Sequence, residues 1–108
     1  MSDEVQLDKT DGVATVTIDR PARRNALSVG ATKALRETIE LCSDDDATQV
    51  IVLTGAGDNA FCAGGDLGDR SGGDGFVDMH ESRGEYAELL LTMNRCKAPV
   101  VARINGHA

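Results

Sequence analysis

The sequence predicts an α/β fold, and three observations carry this prediction. Short runs rich in β-branched residues alternate with two segments of helical periodicity. Residues 49–54 form a continuous apolar run, which is typical of a strand covered on both faces of a parallel sheet. The composition is 41% hydrophobic but only 3% aromatic, so we expect one aliphatic core in a chain of 108 residues, which is one domain's length at most. The expected element order is β-β-α-β-α-β, with right-handed crossovers.

The first two strands are predicted to form a hairpin. Residues 5–7 and 13–18 have strand composition, and Asp11-Gly12 between them is a turn signal. Arg20-Pro21 ends the second strand, because proline has no N–H to donate to a neighbouring strand.

Ser28 is the predicted N-cap of the first helix, which is expected to run to about Cys42. The apolar positions of this segment recur at helical spacing: Ala31, Leu35, Ile39 and Cys42. Three consecutive aspartates at residues 44–46 are expected to stop the helix. The strand at residues 49–54 follows.

A second helix is predicted after a long loop, with one apolar stripe that we expect to face the core. The stripe consists of Met79, Tyr86, Leu90 and Met93. Residues 97–99, which include Pro99, end this helix, and residues 100–104 form the last predicted strand.

Charge and cysteine usage exclude several classes of protein. The net charge of −7 argues against nucleic acid as a partner, since phosphate neutralisation by Lys and Arg supplies most of that affinity. Three dispersed cysteines form neither a disulfide framework nor a zinc pattern, so we expect a reducing, cytoplasmic setting. We expect no membrane association, because no window approaches the roughly 18 apolar residues of a spanning helix.

The loop over residues 55–75 holds eight of the twelve glycines, and a compact domain rarely carries such a loop without a functional reason. Within it, the stretch NAFCAGGDL places Gly64 and Gly65 side by side before Asp66. Adjacent glycines permit positive φ or the close approach of a ligand to the peptide plane. A tight turn without any ligand is the alternative interpretation of this pair.

Three stretches taken together carry a family resemblance: RPARRNALS, VIVLTGAGDNAFCAGGDL and APVVARINGHA. In this order and spacing they resemble the first three signatures of the crotonase superfamily, the enoyl-CoA hydratases and isomerases. The resemblance covers nearly all of residues 1–108 and implies the N-terminal portion of a crotonase-like ββα spiral core that binds acyl-CoA. Members usually form trimers or dimers of trimers, so the resemblance implies an acyl-CoA thioester as substrate and a homo-oligomer, trimer or hexamer.

The resemblance also implies site residues. The N–H of Gly65 would donate to the thioester carbonyl as one half of an oxyanion hole, which makes Gly65 the candidate catalytic residue. The substrate-binding candidates are Arg24, Ala26, Ala63, Gly64, Gly65, Asp66 and Leu67. Among them, Ala63 would contact the adenine, and Arg24 and Ala26 would lie toward the CoA nucleotide. A solvated pair of arginines remains the alternative for Arg24 and its neighbour.

The implied reaction passes through a thioester enolate, with hydration of a 2-enoyl-CoA as the expected case and double-bond isomerisation as the other reaction that the resemblance implies. It implies no metal and no redox cofactor, since coenzyme A enters as part of the substrate. The family's acid/base carboxylates and second oxyanion donor are expected beyond Ala108, so we expect this chain to be part of a longer polypeptide and to be inactive alone. Two alternatives stay open: a catalytically incomplete fragment that binds CoA or acts as an interaction module, and another reaction on the same scaffold, such as thioester hydrolysis, dehalogenation or ring-forming synthesis.

Other reactive side chains are assigned no chemistry. Cys62 is expected to fill the core, because no partner for a thiol nucleophile stands near it in the sequence. His80 and His107 have no matching acid/base context. The aspartates of the glycine-rich loop lack the spacing of a calcium site, so no metal is predicted.

Overall fold

The computed structural model describes residues 4–62 and 75–106, and the side chains of these ranges apart from residues 75–83. Within them the chain forms one four-stranded sheet of order β1-β2-β3-β4 and two α-helices. The elements are β1 (Val5–Thr10), β2 (Val13–Ile18), a 3₁₀ turn (Pro21–Arg23), α1 (Val29–Asp44), β3 (Val50–Gly55), α2 (Gly75–Arg95) and β4 (Val100–Ala102). The predicted α/β class and element order are confirmed.

The hairpin forms as predicted. β1 and β2 pair antiparallel up to Thr10 and Val13, and the two residues between them, Asp11 and Gly12, have φ of 51° and 82°. Positive φ at both central residues is the signature of a type I′ turn, whose twist matches that of the strands it joins.

The other pairings are parallel. Ile18 at the end of β2 pairs with Gly55 at the end of β3, and Leu53 of β3 pairs with Ala102 of β4. α1 and α2 are therefore the two crossovers, and the carboxyl ends of β2, β3 and β4 lie at one edge of the sheet.

α1 begins where the sequence predicts. The hydroxyl of Ser28 accepts a hydrogen bond from the N–H of Ala31 at 3.0 Å, which satisfies one of the unpaired donors of the first turn. The helix ends at Asp44, two residues later than expected, and Asp45 closes it by donating its N–H to the carbonyl of Cys42 at 3.2 Å.

The core lies between the sheet and α1. Its members are aliphatic or thiol side chains, each less than a tenth exposed: Val5, Ala14, Val16, Ile18, Leu27, Ala31, Leu35, Ile39, Cys42, Ile51, Leu53, Leu89 and Ala98. The predicted stripe of α1 is wholly contained in this set. The expectation that β3 is covered on both faces is met in part within the described residues: Ile51 and Leu53 are buried on one face, while on the other face Val50 and Val52 are half-buried and Thr54 is 2% exposed.

The predicted core stripe of α2 is confirmed at Met93, which packs against the core, but it is wrong at Tyr86 and Leu90. Tyr86 and Leu90 are 50% and 49% exposed, whereas Leu89 is only 2% exposed. α2 packs on α1, so it buries one narrow face, and Leu89 and Met93, four residues apart, share that face. Leu90 is rotated by about 100° from Leu89 and points away from α1. The side chain of Met79 lies outside the described residues.

The last strand is shorter than predicted, since β4 ends at Ala102 and not at residue 104. Ile104 is 63% exposed and Val101 is 50% exposed. The chain stays beside β3 for one more residue: the N–H of Arg103 donates to the carbonyl of Leu53 at 2.8 Å, and the hydroxyl of Thr54 donates to the carbonyl of Arg103 at 2.9 Å.

Candidate functional site

Three segments leave the sheet at the edge where its parallel strands end. They are residues 19–28 after β2, residues 56–62 after β3 and residues 103–106 after β4, and we call them the first, second and third connectors. In parallel α/β proteins, ligands bind just beyond the carboxyl ends of the strands. This edge is therefore the candidate site.

The first connector is shaped by backbone conformation and by one arginine. Arg24 and Asn25 both have left-handed φ, 54° and 58°, directly after the 3₁₀ turn. Arg20 braces this bend, because its guanidinium donates to the carbonyl of Ala26 and its Nε lies 3.0 Å from Glu4 Oε2. The strand-to-helix bend is thus held by side chain as well as by main chain.

Asn25 is the buried centre of the first connector, with 1% of its surface exposed. Its Oδ1 accepts from the N–H of Arg20 at 2.9 Å, while its Nδ2 donates to the carbonyls of Ala56 at 3.0 Å and Ala60 at 2.8 Å. An asparagine side chain has two amide hydrogens, so both are used on the second connector. Asn25 therefore joins the segment after β2 to the segment after β3.

Asn105 joins the third connector to the second in the same way. Its Oδ1 accepts from the N–H of Gly55 at 3.1 Å, and its Nδ2 donates to the carbonyls of Gly57 at 2.6 Å and Ala60 at 3.3 Å. The carbonyl oxygen of Ala60 has two lone pairs and receives one asparagine on each. All three connectors meet at this oxygen.

Two glycines permit this close approach. A Cβ on Gly55 would collide with the carbonyl oxygen of Phe61 and would lie 2.7 Å from Asn25 Nδ2. A Cβ on Gly106 would lie 2.6 Å from the carbonyl carbon of Asn59. Contacts of this kind are shorter than a side chain tolerates, so both positions require a residue without one.

Of the predicted site residues, the structure describes only Arg24 and Ala26. Arg24 is exposed at the candidate edge, and Ala26 is 8% exposed. The N–H of Ala26 donates to the carbonyl of Arg23 at 3.0 Å. The other five candidates, Ala63, Gly64, Gly65, Asp66 and Leu67, lie outside the described residues. Their roles remain predictions.

Asn25 and Asn105 were missed by reasoning from sequence. Each stands within a motif that carried the resemblance, RPARRNALS or NGHA, but nothing local shows which groups its side chain contacts. In the structure Asn25 is buried and Asn105 is half-buried, and the available signal was only the general one that a polar side chain removed from solvent must find hydrogen-bond partners.

Other sites are not indicated in the described ranges. Cys62 is half-buried and packs against the core, in keeping with its predicted role. No group of three or more His, Cys, Asp or Glu side chains among the described residues is arranged to hold a metal ion. Over the same residues, neither helix combines the length and the apolarity needed to span a bilayer.

Three parallel strands whose connectors are tied together beyond their carboxyl ends define this chain as an α/β protein, a class in which ligands bind at that position. The sequence model of the family described as "Enoyl-CoA hydratase/isomerase" matches residues 8–108. The chain belongs to the enoyl-CoA hydratase/isomerase family, and it corresponds to the N-terminal portion of the crotonase fold.

Individual relatives agree with this assignment. The chain is 39% identical over 107 residues to the probable enoyl-CoA hydratase echA6 of Mycobacterium leprae. The aligned region covers 96% of this chain and 40% of the relative. The crystal structure of an enoyl-CoA hydratase from Bacillus anthracis matches with a TM-score of 0.88 at 30% identity, over 95% of this chain and 40% of that one. The structure of Pseudomonas aeruginosa DspI matches with a TM-score of 0.91 at 28% identity, over 99% and 40%.

The chain thus spans about 40% of the length of these relatives. The predicted crotonase-like fold is confirmed by the structural matches, and the enzyme family by the family match.

Proposed function

We propose that this chain supplies the CoA-binding part and one oxyanion donor of a site that hydrates a 2-enoyl-CoA. The single observation that carries the proposal is the hydrogen bond from Asn25 Nδ2 to the carbonyl of Ala60 at 2.8 Å. It holds the first connector, which is proposed to contact the CoA nucleotide, against the second connector, which leads along the chain to Gly65. One bound acyl-CoA would then contact both.

The proposed reaction is the addition of water across the double bond. The water oxygen bonds to C3, a proton is added at C2, and the C2–C3 double bond becomes single. Between these events the electron pair resides on the thioester oxygen as an enolate. A fixed N–H donor stabilises that charge without having to reorient, and loss of one such donor costs about 3–4 kcal/mol in comparable sites.

Gly65 is proposed as this donor, with Ala63, Gly64, Asp66 and Leu67 shaping its loop. The second donor and the proton-transfer groups are proposed to belong to the part of the relatives that this chain does not span. The reaction calls for neither a metal nor a redox group, because the charge is stabilised by hydrogen bonds and coenzyme A arrives with the substrate.

Arg24 is proposed to bind a phosphate of the CoA nucleotide, beside Ala26. Its side chain is exposed at the candidate edge, and a planar guanidinium donates two parallel hydrogen bonds to phosphate. The chain carries a net charge of −7, which repels an anionic ligand, so a cation at this edge would raise the affinity for the phosphates of CoA. A homo-oligomeric state and a cytoplasmic location remain predictions.

Calorimetric titration with three ligands tests the proposal: but-2-enoyl-CoA, its thioether analogue in which CH₂ replaces the carbonyl, and free CoA. We expect the thioester to bind about 2–10-fold more tightly than the thioether, since a single hydrogen bond to the neutral thioester carbonyl contributes about 0.5–1.5 kcal/mol. Gly65→Pro removes the N–H and should abolish this preference. Gly65→Ala retains the N–H and serves as the matched control.

The nucleotide contact has its own control. Arg24→Ala should weaken all three ligands by a similar factor of about 3–10, and Arg95→Ala, an exposed arginine at the end of α2, should not. Equal affinity for thioester and thioether would favour the alternative of a CoA-binding module without a working oxyanion donor. Absence of binding to all three would refute the proposed function.

A further inference from the structure

We propose that Asn25 and Asn105 are positioning residues that act through the carbonyl of Ala60. Together their hydrogen bonds hold the second connector in one position, and this connector leads along the chain to the proposed donor, Gly65. This inference rests on the proposed function, because it assigns the two amides a role in placing Gly65. We call this pair of side chains, Asn25 and Asn105, the clamp. Its effect on the second connector can be measured without any ligand.

The orientation of both amides is set by their partners. In each residue, Oδ1 faces an N–H donor, that of Arg20 for Asn25 and that of Gly55 for Asn105. In each, Nδ2 faces two carbonyl oxygens of the second connector. A reversed amide would place oxygen against oxygen, so neither side chain has a second orientation of similar energy.

The clamp approaches Ala60 from both sides. Asn25 comes from the connector after β2, and Asn105 comes from the connector after β4. With both lone pairs of the Ala60 oxygen occupied, the second connector is tied to each neighbouring strand as well as to its own. Three strand ends therefore behave as one unit at the candidate edge.

This arrangement is more than a means of filling the core. Asn25 is 1% exposed, and an apolar side chain of the same shape would fill this space but would leave the N–H of Arg20 and the carbonyls of Ala56 and Ala60 without these hydrogen bonds. What the amide contributes is a defined distance between segments that are remote in sequence. Ala60 precedes Gly65 by five positions, and displacement of a catalytic group by about 1 Å can cost about 100-fold in rate.

The test uses isosteric substitutions in the full 108-residue chain. Asn25→Asp and Asn105→Asp keep the Oδ1 acceptor but replace the donating Nδ2 with an oxygen that faces carbonyls. Asn94→Asp, at an exposed position of α2, makes the same chemical change away from the clamp. The two clamp variants are independent, so one remains informative if the other fails to fold.

The first readout is hydrogen exchange of the peptides that span residues 55–62, with residues 29–44 of α1 as the internal reference. We expect exchange in 55–62 to accelerate about 10-fold in each clamp variant while α1 is unchanged, and Asn94→Asp to match the wild type. Equal acceleration in both regions would show a general loss of stability and would overturn the positioning role. So would unchanged exchange in 55–62.

The second readout is the affinity ratio between but-2-enoyl-CoA and its thioether analogue. We expect both clamp variants to lose most of the wild-type ratio, and Asn105→Asp, which lies on the third connector and not beside Arg24, to retain its affinity for free CoA. Retention of the full ratio would overturn the proposal. If the wild type shows no such ratio, the proposed function and the assignment toward Gly65 fail together, and the exchange result still decides whether the clamp holds the second connector.

Discussion

Asn25 and Asn105 donate to the same oxygen, the carbonyl of Ala60, at 2.8 and 3.3 Å. They are separated from Ala60 by 35 and 45 residues, so this oxygen is where the ends of three parallel strands are fastened together. The contact gives the candidate edge a fixed geometry before any ligand arrives.

Gly55 should be intolerant of alanine. Its Cβ would lie 2.9 Å from the carbonyl oxygen of Ala60 and would also meet Phe61, so we expect a loss of about 1–3 kcal/mol in the free energy of unfolding. Gly84→Ala is the matched control, since nothing lies within 4 Å of its Cβ position in α2, and it should gain about 0.5–1 kcal/mol. Urea unfolding monitored by circular dichroism measures both. Equal effects of the two substitutions would contradict the close packing at the end of β3.

Alanine substitutions of two adjacent leucines of α2, Leu89 and Leu90, should change the stability of the chain by very different amounts. Leu89→Ala removes a side chain that is 2% exposed and should cost about 2–5 kcal/mol of stability, because it leaves a cavity against α1. Leu90→Ala alters a side chain that is 49% exposed and should change stability by no more than about 0.5 kcal/mol. The same denaturation experiment compares them. A larger effect at Leu90 would restore the stripe predicted from sequence.

The ion pair between Lys9 and Asp45 should be detectable as a lowered pKa of the Asp45 carboxyl. The Lys9 ammonium donates to Asp45 Oδ2 at 2.9 Å and, with the N–H of Ala47, lowers the pKa of Asp45 below its ordinary value of 3.8. A lowered carboxyl pKa favours the folded state above the unfolded pKa, and this contribution is lost as the pH falls through the folded pKa. Lys9→Met should raise the pKa of Asp45 in an NMR titration, whereas Lys33→Met, an exposed lysine of α1, should leave it unchanged.

Thiol reactivity should follow burial. Cys42 is fully buried in the core, and burial raises the pKa of its thiol, so little thiolate forms at pH 8 and reagents have no access to it. Cys96 is half-buried and should be alkylated by iodoacetamide well before Cys42 in the native chain. Mass spectrometry of digested samples gives the order of modification. Unfolding in urea should abolish the difference, and its persistence there would show that burial is not the cause.

Much of the fold was predictable because its signals are local. The type I′ turn at Asp11-Gly12, the Ser28 cap and the stripe of α1 each depend on residues a few positions apart, and the structure confirms all three. The α2 stripe was wrong at Tyr86 and Leu90 because helical periodicity identifies apolar positions but does not say which of them a neighbouring element covers. The contact with α1 selected Leu89.

The candidate site was likewise predictable from the sequence only where its signals are local. The sequence by itself determined the family, the order of the strands and helices, and the glycine-rich stretch with the residues assigned to it by resemblance. Only the tertiary structure showed that Asn25 and Asn105 converge on Ala60, and that Gly55 and Gly106 make room for the approach. The physical reason is that the role of an amide side chain is set by the donors and acceptors around it, and these come from strands that are brought together only when the sheet has formed.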